Sequence, residues 1–127
     1  MTTATENKVM TTQEVADRFN ELAQQEKWFQ IQDELFADNV RSIEPANSPY
    51  MSNAEGKDNV RQKGEAFVSR ITGADRLYTS QPLVCGRHFT VAREKEMTVQ
   101  GLGKVDIKQI MLYEVRDGKI VLEQFFY

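Results

Sequence analysis

The 127-residue chain holds one cysteine, one histidine, one tryptophan and three prolines. One cysteine cannot close an internal disulfide, and one His with one Cys cannot build a zinc site from nitrogen and sulfur ligands. A Ser-His-Asp or Cys-His enzyme would have to rest on His88 alone. No apolar run approaches the roughly 20 residues of a membrane span. Neither sign of charge dominates: 16 Lys and Arg face 19 Asp and Glu, a net charge of −3. Such a balance gives no electrostatic reason to hold nucleic acid or an anionic membrane. The first ten residues carry Glu6 and lack the apolar stretch of a secretory signal. Gly101-Leu102-Gly103-Lys104 precedes no helix, so it is a turn and not a phosphate loop. These absences give a set of expectations: a cytoplasmic protein with Cys85 as a free thiol, no metal, no cofactor, no nucleic acid and no membrane.

What is present fits one domain. The apolar share is 40% and the charged share 28%, ordinary for a globular chain of this length. Residues 1–10 read as a disordered polar tail, and order is expected from Thr11 to Tyr127. Thr11-Thr12-Gln13-Glu14 has the spacing of a capping box. Val15, Phe19, Leu22 and Ala23 follow on one helical face, in a helix expected to end near Glu26. Trp28, Ile31 and Leu35 mark a second helix, and Asn39 to Glu44 a short strand stopped by Pro45. A third helix is expected from Lys57 to Ile71, with Val60, Gly64, Phe67 and Ile71 on one face and Gly73 as its stop. Strands follow at Leu77 to Ser80, Leu83 to Val99 (with room for a break), Lys104 to Arg116 and Lys119 to Tyr127. Asp117-Gly118 between the last two is a strong hairpin signal, because a type I′ turn needs positive φ at both positions. The fold class is α+β: a cone-shaped fold with three N-terminal helices packed on a curved, mostly antiparallel β-sheet, enclosing a cavity.

Several segments carry a family resemblance in their order and spacing. They are Leu35-Phe36-Ala37-Asp38-Asn39-Val40, Ile43-Glu44-Pro45, residues 56–65, residues 113–121 and Glu123-Gln124-Phe125-Phe126-Tyr127. Over about Thr12 to Tyr127 the chain resembles the SnoaL-like domains of the nuclear transport factor 2-like superfamily, which includes the ketosteroid isomerases. The resemblance implies the fold more firmly than the function, because that superfamily holds isomerases, cyclases, hydrolases, dehydratases and non-catalytic binding modules.

Glu44 is the candidate catalytic residue. It ends the first strand before Pro45, where the resemblance to the isomerases implies a general base, an Asp in those enzymes. A carboxylate raised in pKa at a cavity mouth can take a proton α to a carbonyl. The competing reading is a strand-end acid that caps amides or pairs with a lysine. The other isomerase groups are absent. The oxyanion-holding Tyr corresponds to Phe19 or a neighbour, and the second acid falls near Met111. One lost donor of this kind costs about 2.7–4 kcal/mol of transition-state stabilisation.

Strand alternation gives the other pocket candidates. Val121, Glu123, Phe125 and Tyr127 share a face, as do Gln109, Met111, Tyr113 and Val115, and Phe89, Val91 and Arg93. Lys63 and Phe67 on the third helix join them. The pocket-lining set is therefore Phe19, Lys63, Phe67, Phe89, Arg93, Gln109, Met111, Glu123, Phe125 and Tyr127, with charge pairs expected among Glu44, Lys63, Arg93 and Glu123. Each also has a plain reading as core or solvated surface. His88 is expected on the outer face and Cys85 as a small buried filler. Ile110, Leu112, Ile120, Leu122 and Phe126 would form an apolar outer face, whose cover is expected to be a second copy in a homodimer. Two functions follow: a small-molecule-binding pocket for an apolar ligand, without the full isomerase set, or a lyase, isomerase or cyclase with Glu44 as base on a small apolar carbonyl substrate.

Overall fold

Thr11 caps the first helix through the box its sequence encodes. Its hydroxyl accepts from the Glu14 amide at 3.1 Å, and the Glu14 carboxylate accepts from the Thr11 amide at 2.9 Å. The computed structural model describes residues 8–127. The first seven residues of the segment read as a tail lie outside the described residues. The elements are α1 (Thr12–Ala23), α2 (Trp28–Leu35), β1 (Phe36–Ile43), β2 (Ala54–Glu55), α3 (Lys57–Ser69), β3 (Ile71–Thr79), β4 (Leu83–Cys85), β5 (His88–Val99), β6 (Gly103–Arg116) and β7 (Lys119–Phe126). No described helix is long and apolar enough to cross a membrane.

The strands form one curved, mostly antiparallel sheet in the order β2-β1-β7-β6-β5-β3, with β4 also on β5. The exception is β1 with β7, which run parallel. The spine is β5 against β6, paired from His88↔Glu114 to Val99↔Gly103. The β6–β7 hairpin turns on Asp117 (φ 49°) and Gly118 (φ 75°), the two positive values that its Asp-Gly pair calls for. A side chain at Gly118 would also meet Val9 Cγ1 at 2.9 Å, so the site excludes one twice over. The helices pack on the inner face. Phe19 of α1 is fully buried, with ring centroids 5.1 Å from Phe89 and 4.7 Å from Tyr113.

Four local expectations are corrected. Helix α1 stops at Ala23, three residues early. The Lys27 amide bonds back to the Leu22 carbonyl and the Glu26 amide to the Ala23 carbonyl, while Glu26 takes φ 58°. This is the left-handed C-terminal motif that glycine usually fills. Helix α3 ends at Ser69, and Gly73 is not its stop but lies inside β3. Strand β3 is nine residues long and exposed along most of its length, so apolar alternation could not reveal it. In β7 the pairing shifts between Glu114↔Leu122 and Val115↔Ile120. The extra residue, Val121, reverses the alternation, so Ile120 is fully buried and leaves the outer face.

Candidate functional site

Between the helices and the inner face of the sheet lies a cavity of about 520 Å³. Its apolar wall includes Trp28, Phe36, Val60, Phe67, Met97, Met111 and Phe125, and its polar points include Glu26, Lys63, Arg93, Lys95, Gln109 and Glu123. Seven of the ten residues expected to line a pocket therefore face it: Lys63, Phe67, Arg93, Gln109, Met111, Glu123 and Phe125. Phe19 and Phe89 do not, because they stack with Tyr113 in the core behind it. Tyr127 does not either; its hydroxyl is turned to Glu44.

Glu44 has a side chain only 1% exposed, and it is not part of the cavity wall. Lys63 Nζ donates to its Oε2 at 2.7 Å, and the Tyr127 hydroxyl donates to its Oε1 at 2.7 Å. Lys63 Nζ also donates to the Ser52 carbonyl at 3.1 Å and stands 5.5 Å from the Phe125 ring centroid. Burial and the hydrogen bond to Glu44 push the Tyr127 phenol up, so it keeps its proton and donates.

Arg93 does not pair with an expected acid. Its guanidinium donates to both oxygens of Glu26, at 2.8 and 3.1 Å, and to Thr79 Oγ1 at 2.9 Å, and it lies 4.5 Å above the Trp28 ring. Trp28 Nε1 donates to the same Glu26 carboxylate at 2.8 Å. Burial pushes the Glu26 carboxyl up, but the bonds from Arg93 and Trp28 outweigh it and hold it below the usual carboxylate value. The left-handed turn at Glu26 is what aims this carboxylate at Arg93.

Glu123 is buried behind two hydroxyls. Ser42 Oγ donates to Oε1 at 2.7 Å and the Tyr113 hydroxyl to Oε2 at 3.2 Å. Burial raises its pKa, more than these donors and the Lys63 charge lower it. Burial and Glu123 together hold the Tyr113 phenol far above its ordinary value, so it stays a donor. A carboxyl whose pKa is raised on folding binds its proton more tightly in the folded state. Its contribution therefore favours folding at low pH and is lost as pH rises through the folded value. Glu123→Gln should remove that loss. Thermal unfolding at pH 5 and pH 8 should show the variant gaining on the parent at the higher pH, and parallel behaviour would contradict the burial described.

Lys95 is the group that sequence reasoning missed. It lines the cavity on β5, between Arg93 and Met97, with Nζ 5.2 Å from the Phe67 ring centroid. Among the described residues it has no ion-pair or hydrogen-bond partner. Burial lowers its pKa, the Arg93 charge lowers it further, and the carboxylates of Glu44, Glu26 and Glu123 pull back; the result is about 8. The signal was available: the face read as Phe89, Val91 and Arg93 continues at period two to Lys95, Met97 and Val99.

The remaining candidates lie elsewhere. His88 is exposed on the outer face, its Nε2 3.9 Å from Glu114 Oε1. Cys85 is exposed and not the buried filler expected, because β4 is a short flanking strand. Among the described residues no three His, Cys, Asp or Glu side chains converge as metal ligands.

The family model of the SnoaL-like domain matches residues 10–127. The chain belongs to the SnoaL-like domain family. Among solved structures, a candidate SnoaL-like polyketide cyclase from Mesorhizobium loti is similar at 29% identity and a TM-score of 0.86, over 93% of this chain and 100% of that one. A nuclear transport factor 2-like protein from Burkholderia pseudomallei follows at 18% identity and 0.72, covering 93% and 92%. TerC, co-crystallised with polyporic acid, is 13% identical with a TM-score of 0.68, covering 91% and 90%. The last two likenesses concern the fold alone. No curated protein matches the chain in sequence.

Proposed function

We propose that this SnoaL-like domain binds a small, mostly apolar molecule that presents one carbonyl or anionic oxygen to the cationic side of the cavity. The observation that carries this reading is Lys95, a cation with no partner of its own set in a largely apolar wall. Burial of an unpaired charge disfavours the fold and is usually avoided; a ligand oxygen would supply what the protein leaves out. The volume of about 520 Å³ suits such a molecule. The likeness to the Mesorhizobium loti cyclase candidate supports a small-molecule pocket.

Trp28 is the only tryptophan of the chain and lines the cavity, so its emission reports occupancy. Small aromatic ketones and carboxylates should change Trp28 emission saturably and show saturation transfer in ligand-observed NMR. Absence of both across such a panel would sink the reading. The alternative, a lyase, isomerase or cyclase with Glu44 as base, requires Lys63 or Tyr127 to release one carboxylate oxygen and Glu44 to reach a cavity it does not line, and has less geometric support.

Two further parts belong to the proposal. Cytoplasmic location rests on the single unpaired thiol, Cys85. A homodimer rests on the outer face, where Ile110 and Phe126 are paired across β6 and β7 and are 47% and 49% exposed, beside part-buried Leu112 and Leu122. Sedimentation at micromolar concentration should give the dimer; monomer alone would remove this part.

A further inference from the structure

We infer that Lys95 is a carbonyl-condensing residue, whose ε-amine forms an imine with a small, mostly apolar aldehyde or ketone held in the cavity. The inference rests on the cavity reading above and narrows its ligand class. Charge partnership singles the residue out. Arg93 is held by Glu26 and Thr79, Lys63 by Glu44, and Glu123 by Ser42 and Tyr113. Lys27 also borders the cavity but is exposed and stays hydrated. Lys95 alone among the cavity's described cations combines enclosure with an amine that has no partner, and its Nζ lies 5.2 Å from the Phe67 ring centroid. No carboxylate is close enough to pin its proton as a salt bridge.

An amine attacks a carbonyl only through its lone pair. An apolar wall and the Arg93 charge both disfavour the ammonium form, and the pKa of about 8 leaves roughly three hundred times more free base near neutrality than an ordinary lysine has. In the step, the nitrogen lone pair bonds to the carbonyl carbon while the C=O π pair moves to oxygen, which takes a proton. The nitrogen gives up one proton to form the carbinolamine and a second as the hydroxyl, protonated, leaves as water and the C=N bond closes. Amine and carbonyl compound become imine and water, with no oxidant or reductant consumed. The apolar wall would hold the hydrocarbon part of the ligand, and the Gln109 amide, which makes no side-chain hydrogen bond in the described structure, faces the same space.

The test uses the intact wild-type protein with limiting benzaldehyde and sodium cyanoborohydride at pH 7, followed by peptide mapping of the benzylated lysines. Lys95 should be labelled at least tenfold faster than exposed Lys104 or Lys108. Equal or slower labelling overturns the inference. Lys95→Arg should lose the fast label; because the decisive ratio comes from the wild type, a misfolded variant does not stall the test. Benzyl alcohol, which cannot condense, reads the cavity by itself in saturation-transfer NMR. Its binding without preferential Lys95 labelling overturns the condensing role and leaves the cavity reading standing. Failure of both overturns both.

Discussion

Lys63→Met should cost the protein about 3–5 kcal/mol of stability, the usual effect of removing one partner of a buried ion pair. The Lys63 side chain is 13% exposed and that of Glu44 only 1%. Without Lys63, the Glu44 carboxylate keeps one side-chain donor, the Tyr127 hydroxyl, in a place water scarcely reaches. The penalty comes from the stranded charge more than from the lost bond. The double variant Lys63→Met/Glu44→Gln should recover much of the loss, since the amide carries no charge. Thermal melting measures this directly, with the single variant expected roughly 10–20 °C below the parent. A drop of only a degree or two would mean that Glu44 is hydrated and free to act as a base after all.

Lys95→Met should act in the opposite sense and stabilise the fold. The lysine pKa falls from 10.5 to about 8 on folding, so the folded state resists its proton. The penalty is fully present below pH 8 and fades as pH rises toward 10.5, where the unfolded chain loses the proton too. The full drop corresponds to about 3 kcal/mol, and the remaining solvent access of the amine reduces the expected gain to about 2 kcal/mol at pH 7. Melting points at pH 7 and pH 10 should show the gain at the first and little of it at the second. The same variant should lose binding of ligands that present an oxygen to Lys95. Stability gained together with binding lost is the pattern of a charge kept for a purpose other than folding.

The sequence carried these features unevenly, for physical reasons. Local chemistry was readable: the Thr11–Glu14 box and the Asp117-Gly118 turn depend on residues three or fewer apart. Strand alternation correctly grouped Arg93, Gln109 and Met111 on the inner face. It misassigned Ile120, because the bulge at Val121 belongs to the pairing of two strands and not to either one. The Glu26 clamp was hidden for a different reason. A left-handed helix end normally announces itself with glycine, and here a glutamate bears that conformation so that its carboxylate can reach a residue 67 positions away. The Lys63–Glu44 pair agrees with expectation, whereas Arg93 pairs with Glu26, to which no spacing rule connects it, and Glu123 meets Tyr113 because the bulge at Val121 shifts the hairpin register by one.

The parallel pairing of β1 with β7 has a consequence in time. Strand β1 has only two neighbours, the two-residue β2 and β7. Every strand from β3 to β6 is therefore made before β1 can find its principal partner. The β5–β6 and β6–β7 hairpins can zip locally, on the scale of microseconds, but joining β1 to them requires closing a loop of most of the chain. That places the slowest event of folding at the seam between β1 and β7. Ser42, Glu123 and Phe125 lie along this seam, so the buried Ser42–Glu123 hydrogen bond and the cavity wall beside it should be the last parts to acquire their native form. On the ribosome, β1 would wait with an unpaired edge until the residues of β7 emerge, which makes it the segment most in need of a chaperone's cover.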